Sequence, residues 1–487
     1  DRALLHWSPK GMQTMWCPLL LILQSVLQCA SASLRSSRLS PDGSFPVASG
    51  APVRFSFAPE ATVRGVEMRH FTIRVWSSSG LAVEKRIVSK DPMAELELKP
   101  GRYRWNVQWW STTREPSEVA ESRVSVAHGS DAWEGVPWRG ASDKNEFTAE
   151  AVFDEGDAEL LVATLGFGYV TVNGKEVSND LLSYSGWTRT EKRVLYRSYD
   201  ISSMLNSSRG ATFFVRLGCG YRCDTKSRWP QYRDPGDSAT DTIAKIFRLQ
   251  VRVRGSLAFH SGSPGWMARS GATVQDSVYD GEIYVTTRVG DWTPSVDLPP
   301  NSGPKGAMVP ASFPGVQIVG KDAAVSITQA APGIHVVDFG SNVASVCSIS
   351  VPGAATVSLK HGEVMQHEHL PDLEKADPSR VYFGNLRTAE ANDTLVTDRA
   401  IADWMPRFTY HGFRYVEVYG YPGTLEVGSI QRLRLSTAVP DKATALFSDD
   451  VLVAIAGGSR GSQRSNLMQV LTDCPQRDER LGWLGDA

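Results

Sequence analysis

The stretch Asp473-Cys-Pro-Gln-Arg-Asp-Glu-Arg-Leu-Gly-Trp-Leu-Gly-Asp-Ala487 decides how the rest of this sequence is read. Pro475, Gly482 and Gly485 interrupt any helix, so the segment reads as a structured loop at a helix end. Such a loop converges side chains on one place. Asp473, Glu479 and Asp486 bring carboxylates, Arg477 and Arg480 bring cations, and Trp483 brings a large aromatic plane. Cleaving a glycosidic bond takes a carboxylic acid for the leaving oxygen and a second carboxylate across the sugar, and these residue types fit. Burial or neighbouring negative charge would keep such an acid protonated near neutral pH. From residue type alone, a solvated, internally salt-bridged loop is the plainer reading.

Working outward, Ser448-Asp449-Asp450 is a helix cap, followed by Leu452, Ile455 and Ala456 at helical spacing. Gly457, Gly458 and Gly461 weaken that helix by up to ~1 kcal/mol each relative to alanine. A helical domain therefore begins at 440–487. Before Pro440 the pattern is β. Residues 315–438 form one β-sandwich region, in which Phe413 and Tyr415 alternate against Val416 and Val418. Residues 130–295 form a jelly-roll region with a two-residue hairpin at Asn173-Gly174. The Pro-, Gly- and Ser-rich stretch 291–314 reads as a linker. Residues 50–129 form a fibronectin-type sandwich. There Phe71, Ile73 and Val75 share one face, as do Tyr103, Trp105, Val107 and Trp109, and Lys99-Pro100-Gly101 makes a turn.

Composition sets the outer bounds. The 487 residues carry 51 Lys and Arg against 53 Asp and Glu, a net charge of −2 without basic runs, which argues against phosphate-driven nucleic-acid binding. The 42 Gly and 27 Pro suit turn-rich β structure, and the 14 Trp suit either sugar-stacking surfaces or sandwich cores. Near the amino end, the apolar stretch from Pro18 to Leu27 is too short to span a bilayer, and Ala30-Ser31-Ala32 supplies a cleavage pattern. Residues 1–32 are therefore expected to be upstream residues plus a signal peptide, and the product to be secreted or lumenal, with no membrane span. Cys219, Cys223, Cys347 and Cys474 would then remain, and their pairing is open. Asn206 and Asn392 begin glycosylation sequons that matter only after secretion.

The run Gln463-Arg-Ser-Asn466 followed by Thr472 to Ala487 resembles the signature of the bacterial-type α-L-rhamnosidases, glycoside hydrolase family 78. The resemblance extends through Val172-Asn-Gly-Lys-Glu-Val177, Gly186-Trp-Thr188, Lys192-Arg-Val-Leu-Tyr196 and His411-Gly-Phe-Arg-Tyr-Val-Glu-Val418. It implies a multidomain, mostly β fold: successive β-sandwich and jelly-roll domains, then the first helix and active-site loop of an (α/α)6 barrel that is cut off. It implies release of terminal α-L-rhamnose from glycosides or polysaccharides with inversion and without a redox cofactor. By motif position Glu479 would be the general acid, with Asp473, Arg477, Trp483 and Asp486 lining the rhamnose pocket. The family's general base falls beyond residue 487, so the chain as written is expected to be inactive. A non-catalytic, carbohydrate-binding protein of several β domains is the alternative.

Weaker signals complete the expectations. Some relatives bind rhamnose and calcium in the jelly-roll domain, which makes Asn179 and Asp180 candidate ligands; an ordinary polar hairpin edge is the plainer reading. His361, Glu363, His367, Glu368 and His369 cluster, yet their spacing matches no helical zinc motif, and a solvated loop after a strand explains them. Arg222, Lys226 and Arg228 with Trp229 read as surface decoration.

Overall fold

The computed structural model describes residues 34–40, 47–48, 50, 52–61, 66–182, 188–221, 245–296, 298–299, 302–369, 376–440 and 445–483. The leader region, Trp187, Cys223, the basic loop around Trp229 and Asp486 lie outside the described residues, as do the side chains of Glu368 and His369. Two compact units divide the chain after Val126.

In the first unit, strands Leu34–Ser40, Val53–Ala61 and Met93–Leu96 form one sheet. Gly80–Ile87, Met68–Ser77, Gly101–Ser111 and Ala120–Val126 form a second, in that order. The period-two alternation is met: Phe71, Ile73, Val75, Trp105, Val107 and Trp109 are buried with Val53, Phe55 and Leu96 in one core. Phe55 meets Trp105 edge-on at 5.0 Å. Full burial of each such side chain contributes roughly 1.5–3 kcal/mol.

The second unit opens with two six-stranded sheets. One contains Glu146–Val152, Phe167–Val172 and Gly210–Gly218; the other contains Ala158–Leu165, Arg193–Asp200 and Ile246–Val253. Their inner faces share a core that includes Phe147, Phe213, Phe247, Leu249 and Trp266. Asn173 and Gly174 both have positive φ, 51° and 75°, as a tight hairpin between right-twisted strands requires. The stretch 291–314 does more than connect. Thr293–Pro294 pairs with Met267–Arg269, and Ala307–Pro310 runs parallel to Arg193–Asp200, so it is stitched into both sheets.

An eleven-stranded sheet follows, built around the long strand Ile334–Val351, His411–Tyr419 and Ile430–Thr437. It recruits Asp180–Leu182, Thr273–Ser277 and Gly281–Val285 from the preceding region, with Ile283 to Val285 lying parallel to Thr394 to Val396. The helix Asp450–Asn466 then packs on Ile334–Val351 and Ile430–Thr437. Asp449 caps it as expected, accepting from the backbone N–H of Val451 (2.8 Å) and Leu452 (3.3 Å). Leu446, Phe447, Val451, Leu452, Val453 and Ile455 are all exposed.

Candidate active site

The chain turns sharply on leaving the helix. Thr472 donates through its N–H and hydroxyl to the Asn466 carbonyl, and Gln469 takes a positive φ of 68°. The next segment closes on itself: the Asp473 N–H donates to the Leu481 carbonyl (2.9 Å), and the Leu481 N–H donates to Asp473 Oδ1 (2.8 Å). Inside the loop the Arg480 guanidinium is fully buried between the rings of Tyr279 (5.3 Å) and Tyr410 (4.7 Å). It donates to the carbonyls of Val278, Tyr410 (2.7 Å), Arg477 (3.2 Å) and Gln476 (3.3 Å). Arg480 thus pins loop to sheet. Pro475 lies on Gly412, where an added Cβ would stand 2.5 Å from the proline ring, so only glycine admits the loop at that spot.

This scaffold gathers the expected pocket residues. Arg477 donates from Nη2 to Asp473 Oδ2 (3.1 Å) and from Nε to Glu479 Oε2 (3.1 Å). The Trp483 indole N–H donates to Glu479 Oε1 (3.2 Å). Four of the five residues singled out therefore share one network, and Asp486 lies outside the described residues. Asp473 and Glu479 are largely buried, whereas Trp483 is 39% exposed and offers a face to solvent. Burial works against the Arg477 charge, but Cys474, Glu479 and Asp473 outweigh it and hold its pKa above the usual range. Burial, and then Asp473, push the Cys474 thiol up to about 12, so it stands as a neutral donor to Asp473 Oδ2 (3.0 Å).

One participant has no local motif. Arg387, from the turn after Gly384–Leu386, donates to Glu479 Oε2 at 2.8 Å. Its backbone sits at φ 58°, ψ −111°, a conformation that costs a non-glycine residue on the order of 1–3 kcal/mol and is typical of functional sites. Glu479 is buried as expected and has the Asp473 carboxylate within 4.8 Å. The hydrogen-bond partners of its carboxylate, however, are two guanidiniums and an indole N–H, and it accepts from each. Glu363 adds a further carboxyl beside the loop. Burial raises its pKa against hydrogen bonds from Asn342 (2.7 Å) and Asn385 (2.5 Å) and the nearby Arg477 charge.

The histidine stretch needs correction. His361 is not in a solvated loop; it is fully buried in the strand Ala355–Gly362. It stacks on His411 with ring centroids 4.3 Å apart and planes 19° apart. His411 Nε2 meets Asp393 Oδ2 at 3.1 Å, and His361 Nδ1 meets the Ala391 carbonyl at 2.9 Å. Imidazole lone pairs lie in the ring plane, so two nearly parallel stacked rings cannot both aim at one ion. This donor set does not fit a metal.

The buried pair gives a pH prediction. Burial, then His411, lower the His361 pKa to about 3, and burial holds His411 well below its usual value. Below the unfolded value of 6.5 the unfolded chain binds protons that the folded chain refuses, so stability falls as pH drops towards 3. His361 alone is expected to remove about 3 kcal/mol between pH 6.5 and pH 4. Burial raises Asp393 to about 6, which opposes part of this loss, because the folded state takes up that proton first. Urea unfolding should show that His361→Gln is less stable at pH 7 but loses less on acidification. Parallel pH curves for variant and parent would refute it.

Asn179 and Asp180 do not converge as ligands. Asn179 is exposed, while Asp180 accepts from Gln317 Nε2 (2.8 Å) and faces Arg197 Nε at 3.7 Å. A carboxylate flanked by an amide donor and a guanidinium does not fit calcium. Cys219 is disulfide-bonded, whereas Cys347 and Cys474 are free and buried. Asn206 is exposed in a turn, and Asn392 is half-buried in a strand of the eleven-stranded sheet.

Together, fold and site define a multidomain, β-rich protein whose last described loop gathers two carboxylates, two guanidiniums and an indole. Comparison with known proteins sharpens this. Residues 155–312 match the alpha-L-rhamnosidase N-terminal domain, 328–436 the bacterial alpha-L-rhamnosidase concanavalin-like domain, and 442–487 the bacterial alpha-L-rhamnosidase 6 hairpin glycosidase domain. An alpha-L-rhamnosidase of Streptomyces avermitilis is 30% identical over 409 residues, covering 78% of this chain and 38% of the relative. One from an Alteromonas species is 26% identical over 439 residues, covering 85% and 43%. Among solved structures, the S. avermitilis alpha-L-rhamnosidase in complex with L-rhamnose superposes with a TM-score of 0.78 at 20% identity, covering 93% of this chain and 62% of that one. That of Dictyoglumus thermophilum gives 0.76 at 24%, covering 93% and 54%, so both support the fold. The chain belongs to the bacterial-type α-L-rhamnosidase family. It spans 38% to 47% of the length of the curated relatives it matches.

Proposed function

We propose that the loop from Asp473 to Asp486 is one wall of an active site that releases terminal α-L-rhamnose from glycosides or polysaccharides with inversion. The observation that carries this reading is the convergence of Asp473, Arg477, Arg387 and Trp483 on Glu479. In it, Glu479 is the general acid, Asp473, Arg477 and Asp486 bind sugar hydroxyls, and Trp483 packs on the ring's apolar face. Arg387 and Arg477 both donate to Oε2, which leaves Oε1, on the Trp483 side, as the oxygen that would face the leaving group. Inversion also needs a base carboxylate roughly 6.5–9.5 Å from the acid, across the attacking water. That base is assigned to later helices of the six-hairpin domain. The exposed apolar residues of the helix Asp450–Asn466 are the surface such helices would cover. No redox cofactor enters this reading, and secretion through the leader, with a glycan at Asn206, accompanies it.

The test is rhamnose release from 4-nitrophenyl α-L-rhamnopyranoside. A protein that completes the helical domain around this loop should turn it over and first release the β-anomer. These 487 residues alone should not. Turnover of β-D-glucosides in preference to α-L-rhamnosides, or rapid hydrolysis by the 487-residue chain, would overturn the proposal.

A further inference from the structure

We infer that the outer face of the four-stranded sheet in the first unit carries a binding subsite for an anionic sugar, one bearing a carboxylate or a sulfate ester. A cavity of about 510 Å³ opens there, lined by Arg69, His70, Thr72, Arg86, Trp110 and Arg114. That volume lies within the range of small-molecule sites. None of the lining residues is acidic.

Strand register explains why these side chains meet. Thr72 pairs with Arg86 and His70 pairs with Trp110, and all four point away from the core face that carries Phe71, Ile73 and Trp109. The register shifts between Met68 and His70, leaving Arg69 as the extra residue of a bulge, a device that re-aims a side chain. Arg114 comes from a turn clamped by Ser111, whose hydroxyl bonds Thr113 (2.7 Å) and accepts from the Glu115 N–H (3.1 Å). Arg114 holds a φ of 70°, which is unusual for a residue with a long side chain.

The charges are uncompensated. Elsewhere in this unit Arg54 pairs with Glu95, Arg74 with Glu84 and Lys90 with Glu67. Among the described residues, the guanidiniums of Arg69, Arg86 and Arg114 have no ion-pair or hydrogen-bond partner. Beneath them His70 is 9% exposed, its Nδ1 is buried without a hydrogen bond, and its ring stacks on Trp110 at 4.8 Å with planes 7° apart. Burial, then Arg86 and Arg69, push the His70 pKa down, so an anion would offset a field already felt inside the fold. Guanidiniums bind carboxylate and sulfate oxygens in forked geometry, and the half-buried indole of Trp110 offers an apolar plane beside them. An anion with a ring attached uses both features; a bare anion uses one. The choice of a saccharide rests on the rhamnoside reading above, and would make this face a hold on acidic residues of a polysaccharide.

Calorimetric titration of the 487-residue chain with D-glucuronate, D-glucose 6-sulfate, inorganic sulfate and D-glucose tests it. At least one anionic sugar should bind, D-glucose should not, and the two anionic sugars together show whether carboxylate or sulfate is preferred. Arg86→Gln and Arg114→Gln should each weaken binding by about tenfold. Trp110→Ala should weaken the anionic sugar but leave inorganic sulfate unchanged. Equal binding by parent and the triple variant R69Q/R86Q/R114Q, or no binding of either sugar, would overturn the site. Sulfate binding as tightly as both sugars, with no effect of Trp110→Ala, would overturn the sugar assignment. Glu479→Gln should leave all these heats unchanged, so failure here is distinct from failure of the catalytic reading.

Discussion

Glu479→Gln, made in a protein that completes the helical domain, is expected to lower rhamnoside hydrolysis about a thousandfold, within the span that positioned general acids contribute. An amide cannot give a proton to the leaving oxygen. Its NH2 group must also face a donor, either the Arg387–Arg477 pair or the Trp483 indole N–H, since all three donate to the present carboxylate. The loop should still form, because its closure runs through Asp473, Leu481 and Arg480 and does not use the Glu479 carboxyl. The loss should depend on the leaving group. A nitrophenolate departs with little help, so the nitrophenyl rhamnoside should suffer less than an alkyl rhamnoside. A variant with near-normal rates on both substrates would remove Glu479 from the acid role.

Arg480→Met carries the other large effect. The methionine keeps much of the volume between Tyr279 and Tyr410 but leaves the carbonyls of Val278, Tyr410, Arg477 and Gln476 without their shared donor. Removing one partner from a buried polar cluster costs about 3–5 kcal/mol. Two of those carbonyls belong to the sheet side and two to the loop, so the loss should fall on their attachment. Amide exchange should report it first, as faster exchange at the Asp473 and Leu481 N–H groups, while the cores around Trp105 and Phe213 stay protected. A change within about 0.5 kcal/mol, as for ordinary surface substitutions, would show that Arg480 is not the pin.

What could be read in the sequence was what local rules govern. Period-two faces placed Phe71, Ile73, Val75, Trp105 and Trp109 in one core, the Asn173-Gly174 pair announced its hairpin, and Asp449 announced the helix. Pro475 and Gly482 marked the loop, and the family signature put names on its residues. Long-range pairing was not legible. Asp180–Leu182 and Gly281–Val285 join strands more than 100 residues away, and no local pattern records a partner. The same limit hid Arg387, whose role depends on a contact 92 positions along the chain. His361 was misread because a polar residue in a His- and Glu-rich stretch looks solvated, although its strand runs between two others in a sheet interior.

The most direct measurement is a titration of L-rhamnose into the isotope-labelled 487-residue chain, followed at the indole N–H of Trp483. That group donates to Glu479 and lies on the face proposed to pack against the sugar. The expected result is a saturable shift of the Trp483 indole, absent with D-glucose and abolished by Asp473→Asn. Shifts confined to the Asn179–Asp180 edge, or an identical response to D-glucose, would contradict the assignment of this loop to rhamnose.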